Sequence, residues 1–105
     1  MLVAFSVSPT GGDGADGSVH DAVAAAVRVV RDSGLPNRTD AMFTTLEGEW
    51  DEVFAVVKQA TLAVQAFGPR VSLVLKADLR PGRSGELTGK VERLEAALGT
   101  SRSHG

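Results

Sequence analysis

The chain has 105 residues, 11 Lys and Arg against 13 Asp and Glu, and no cysteine. That length fits one domain able to bury about 65% of its unfolded surface, enough for a real core. The net charge of -2 argues against bulk electrostatic binding to nucleic acid, and the missing cysteines remove disulfides, thiolate metal sites and a cysteine nucleophile.

Residues 2–8 alternate. Val3, Phe5 and Val7 make one face, and Ala4, Ser6 and Ser8 the other, the period of a strand with one core side. The segment has no positive leader and its apolar run stops at Ser6, so it does not read as a signal peptide. No run approaches the ~20 apolar residues that span a bilayer. A cytoplasmic protein without membrane contact is expected. Pro9-Thr10-Gly11-Gly12 ends the strand.

Ser18 with Asp21 three residues on resembles a capping box. Val19, Ala22, Val23, Ala26, Val27 and Val30 follow at helical spacing, and Gly34 supplies a left-handed stop. The spacing predicts a helix over 18–33. Two short strands should follow, a weak one near 36–39 and a better one over 42–47, joined at Thr39-Asp40-Ala41. Trp50, Val53, Phe54, Val57, Ala60, Thr61 and Val64 form a second helical stripe. Glu49, Asp51 and Glu52 crowd its first turn, where the helix dipole favours acids. Trp50 is expected to anchor this helix to the core. Val71 to Arg80 alternates more clearly than any other segment, and Leu87, Val91, Leu94 and Leu98 mark a third helix. Residues 1–98 should form the domain, and 99–105, small and polar, a disordered tail.

The order is βαββαβ plus a final helix. Short hairpins and right-handed crossovers turn that order into an α+β, ferredoxin-like sandwich: a four-stranded antiparallel sheet with two helices on one face. The other face carries Ala4, Ser6, Val74 and Lys76. A single helix layer leaves it open, so self-association is expected.

Three strand ends carry polar groups that suggest a small-molecule site. Glu47 is a carboxylate at the last strand position, where acids are poor β material. It would accept a hydrogen bond from a ligand amine or favour a cation, or else serve as a helix-end acid. Thr45 shares its face, whereas Thr44 points the other way. Ser8 precedes the first loop and reads as ligand-facing, while Ser6 reads as packing. Lys76 and Arg80 would hold a phosphate ester or sulfate, or form an ion ladder with Asp78. Gly11, Gly12 and Gly14 match no phosphate-cradling motif, since no Gly-Lys-Ser/Thr follows. His20 and His104 lie far apart, so no metal or cofactor is expected.

The succession Ser8-Pro9-Thr10-Gly11, Ser33-Gly34-Leu35-Pro36, Thr44-Thr45-Leu46-Glu47-Gly48-Glu49 and Lys76-Ala77-Asp78-Leu79-Arg80 resembles the small thiamine-binding protein family. The likeness runs over about residues 2–98, and its strength lies in the ordered set rather than in one motif. It implies a ferredoxin-like fold, dimers or tetramers built by sheet pairing, and binding of thiamine or a related hydroxymethylpyrimidine without catalysis. It favours Thr44 over Thr45 as a ligand contact, which a bulge before the second helix would reconcile with the alternation. Phe43 stands where the family usually has glycine, and its ring either narrows the pocket or points to the core.

Two other readings compete. An acylphosphatase-like hydrolase shares the topology but needs an arginine in the loop after the first strand, and Pro9 to Gly17 has none. A regulatory or assembly module would instead bind a protein partner through the open sheet face.

Overall fold

The computed structural model describes residues 1–10, 16–80 and 85–99. The loops at 11–15 and 81–84 and the tail from 100, expected to be disordered, lie outside the described residues. Seven elements follow in order: β1 (Leu2–Pro9), α1 (Asp16–Asp32), β2 (Asn37–Thr39), β3 (Thr44–Glu47), α2 (Trp50–Gln65), β4 (Val71–Asp78) and α3 (Glu86–Ala97).

The strands form one sheet in the order β2-β3-β1-β4, every neighbouring pair antiparallel. With a helix between β1 and β2 and another between β3 and β4, this is the expected ferredoxin-like arrangement. β1 pairs with β4 along its whole length, Leu2 with Asp78 through Pro9 with Val71. Its pairing with β3 covers only Leu2 to Phe5, because β3 has four residues.

One sheet face is the core side. Val3, Phe5, Val7 and Leu46 are buried there. Ala22, Ala26 and Val30 of α1 and Val53, Val57, Ala60 and Val64 of α2 close over them. The i, i+4 spacing keeps each set on one helix face. All seven are Val or Ala, which lets both helices approach the sheet closely. Gly34 ends the α1 region with φ +80°, a conformation that costs glycine nothing. At the start of α2, the Glu52 side chain accepts the Glu49 N–H at 3.0 Å, the reach-back half of a capping box.

Gly48 joins β3 to α2 for a steric reason. A Cβ there would sit 3.1 Å from Val53 Cγ2 and 3.3 Å from Leu35 Cδ1.

Two expectations need correction. Trp50 is not a core anchor: it is 55% exposed and meets only the first turn of its own helix, its ring 4.7 Å from that of Phe54. Val53, three residues on, is the buried position at this end of the helix. The second sheet face, in turn, is partly covered. α3 lies over its β2–β3 half, with Leu87, Val91 and Leu94 opposite Leu2, Arg38 and Thr45. The β1–β4 half of that face keeps Val74 57% exposed. β4 is also thinly covered on the core side, where Leu73 and Leu75 remain exposed. Among the described residues, no helix is long and apolar enough to cross a membrane.

Candidate functional site

The antiparallel register decides which polar groups can meet. Leu2 pairs with Glu47 on one side and Asp78 on the other, so these two acids flank one residue at one end of the sheet. The next row on the same face runs Arg38, Thr45, Ala4, Lys76. Arg80 lies two residues beyond Asp78, at the same end, and is exposed. Thr45, Glu47, Lys76 and Arg80 therefore lie towards one end of the sheet, on β3 and on or just past β4, with β1 between them.

Ser8 does not join them. It pairs with Ser72, six positions along β1 from Leu2, which is roughly 20 Å at strand rise. The notion of three convergent strand ends fails here for a topological reason. β1 runs against both β3 and β4, so its C-terminal end lies opposite theirs. Within one protomer a small ligand cannot touch both Ser8 and Glu47.

Thr44 is separated as well. The β1–β3 pairing advances one residue at a time from Phe5–Thr44 to Leu2–Glu47, so no bulge interrupts it. Thr44 consequently shares the core side with Leu46 and is buried, while Thr45 and Glu47 share the other. Its hydroxyl lies 3.2 Å from that of Thr39. Together they line a cavity of about 150 Å³ between α1 and the β2–β3 hairpin, with Phe5, Val23, Val27, Met42 and Phe43. Phe43 is part of that wall, so its ring narrows this cavity.

Glu47 is 7% exposed. Its Oε1 accepts the N–H of Leu87 at 3.2 Å, in the first turn of α3. Helices leave their first N–H groups without internal partners, and the N-cap residue of α3 is Gly85, which has no side chain to offer. Glu47 supplies the acceptor from a strand 40 residues away in sequence. This contact was missed in the sequence, where a helix opening on Gly85, a residue without a side chain to cap with, is the available sign of a cap borrowed from elsewhere.

Beside Glu47 opens a cleft of about 320 Å³, lined also by Met1, Leu35, Pro36, Gly48, Glu49, Glu52 and Gly85. The volume falls in the usual range of small-molecule sites, about 300–1,000 Å³. Among the described residues, three carboxylates border it, against one ammonium, that of Met1, which donates to the Gly48 carbonyl at 2.8 Å. The cleft can thus accept hydrogen bonds from an amine and attract a cation beside apolar walls.

The β2–β3 turn, at the opposite end of β3 from Glu47, is internally braced. Asp40 Oδ1 accepts the N–H groups of Phe43 and Met42, both at 2.8 Å. The Phe43 bond, then the Met42 bond, and to a lesser degree the Arg38 charge hold the Asp40 carboxyl below its ordinary range.

The chain is thus a ferredoxin-like α+β domain with a polar cleft at one strand end. The sequence profile described as thiamine-binding protein matches residues 3–95, and the chain belongs to that family. A UPF0045 protein of Mycobacterium bovis is 56% identical over 93% of this chain and 94% of its own length. A DUF77 domain from Bacillus cereus, of known structure, superposes with a TM-score of 0.76 at 34% identity, covering 88% of this chain and 86% of that one. A Thermotoga maritima protein assigned provisionally to thiamine biosynthesis or salvage superposes with a TM-score of 0.73 at 26% identity, covering 89% and 96%.

Proposed function

We propose that this chain is a non-catalytic cytoplasmic binding protein for thiamine or a related hydroxymethylpyrimidine, held in the strand-end cleft at Glu47. The observation that carries the reading is a buried carboxylate lining a ligand-sized cleft beside two further acids. An aminopyrimidine offers an exocyclic N–H to Glu47, and hydrogen bonds to a charged acceptor are the stronger kind. Thiamine's thiazolium carries the positive charge that Glu49 and Glu52 favour. Leu35, Pro36 and Met1 give the rings apolar contact. Lys76 and Arg80, towards the same end of the sheet, would meet a phosphate on the hydroxyethyl arm.

A second copy pairing over the exposed β1–β4 half of the sheet would set this cleft near a subunit interface. It would also offer a route by which Ser8 of one copy approaches a ligand held by another. The family match supports a binding role.

Thermal melts and calorimetric titration with thiamine, its phosphates and hydroxymethylpyrimidine test the reading. A ligand at 100 times its Kd stabilises the native state by about 2.7 kcal/mol. Melting temperatures unmoved by millimolar concentrations of every one of these compounds would refute it.

A further inference from the structure

The largest cleft described is not the one at Glu47. About 490 Å³ lies between α3 and the second sheet face, again within the range of small-molecule sites. Its floor is Leu2 and its roof Leu87, Val91 and Leu94, with Arg38 and Thr45 at the β2 side. The roof stands off the floor: Val91 is 45% and Leu94 57% exposed, although both point towards the sheet. Protein interiors normally close to near-crystalline density, and here an apolar helix face stands over Leu2 and the polar Arg38, Asp40 and Thr45 without closing.

We infer that this cleft is a second ligand site, taking an amphiphilic monocarboxylate. The apolar body would lie between Leu2 and the α3 side chains, and the carboxylate would sit on Arg38. The sign of the head group follows from the polar wall. A guanidinium presents paired N–H donors matched to a carboxylate, and the Thr45 hydroxyl adds a donor one strand over. Asp40, the acid among the described residues of the wall, already accepts two backbone N–H groups at Oδ1 and feels the Arg38 charge. It therefore competes poorly as a cation site. This inference stands apart from the Glu47 reading, because the two clefts share no lining residue.

The test uses the full chain and octanoate, with octylammonium as the opposite-charge control, followed by calorimetry and amide chemical shifts. Octanoate should bind saturably at one per chain, shifting the Thr45, Leu87 and Leu94 amides. Octylammonium should bind at least tenfold more weakly. Arg38→Gln, at an exposed position, should weaken octanoate at least tenfold with an unchanged melting temperature. Val91→Trp should fill the cleft and abolish binding. Non-saturable uptake, equal affinity for octylammonium, or full affinity in Arg38→Gln would overturn the proposal. So would a failure to bind in a chain that light scattering finds dimeric, which would give the cleft to a second copy.

Discussion

Glu47→Gln separates the two duties that fall on one carboxylate. The substitution keeps size and one carbonyl-type oxygen, so the Leu87 N–H, now 3.2 Å from Oε1, still has an acceptor. What disappears is the charge, and an N–H donor is introduced. For a ligand amine that donates to this group, the expected loss is about 1.5–3 kcal/mol, or roughly 10- to 150-fold in affinity. For the fold, the loss is the interaction of a charge with a helix N-terminus, about 0.3–1 kcal/mol. In a domain near 100 residues that lowers Tm by no more than about 4–8 °C. Titration of thiamine into both proteins, beside their melts, reads the two effects separately. Unchanged affinity with a lowered Tm would make Glu47 purely the borrowed cap of α3 and refute the ligand assignment. Glu47→Ala serves as the contrast, since it also strands the Leu87 N–H and should destabilise by a further ~1–3 kcal/mol.

Ser8→Ala should leave thiamine affinity unchanged if the ligand touches a single protomer, because Ser8 pairs with Ser72 at the opposite end of the sheet; a tenfold loss by calorimetry would mean that a second copy brings Ser8 to the cleft. Gly48→Ala should lower the urea midpoint by an amount worth about 1–3 kcal/mol, the cost of overpacking, since its Cβ would press on Val53 and Leu35; a stabilised variant would contradict the close approach. Asp40 is depressed from 3.8 by the Phe43 and Met42 bonds. Its contribution to hairpin order is therefore present above the unfolded value and is lost as pH falls through the lower folded value. The Met42 and Phe43 amide shifts should follow a single titration below 3.8 in the native protein and none in Asp40→Asn; a midpoint above 3.8 would reverse the sign.

Much of this fold was legible because its elements declare their period. β1 and β4 alternate cleanly, and the structure places Val3, Phe5 and Val7 inside as the alternation requires. The parity of Thr44 and Thr45 was readable in the same way, and the unbroken register bears it out. The location of α3 was not legible, because a short amphipathic helix after the last strand can pack on either face. Nor was the partner of Glu47, since a cap supplied from 40 residues away leaves no local pattern. The misplaced grouping of Ser8 with Glu47 had a remedy in the sequence. Once β1 and β3 are taken as antiparallel neighbours, their C-terminal ends must lie apart. Trp50 misled because a helical stripe marks residues near the core face without saying which of them are covered; Val53 is buried and Trp50 is not.

The pairing of β1 with β4 also bears on how the chain reaches this state. Within this chain β1 leaves the ribosome well before its β4 neighbour, residue 2 pairing with residue 78. At about 5–20 residues per second, β1 waits roughly 4–14 s for that neighbour. Meanwhile β3 can pair with only half of it. Long-range closures of this kind slow folding. For those seconds Ser6 to Pro9 present an unpaired strand edge, and the nascent chain is most open to mispairing before β4 arrives.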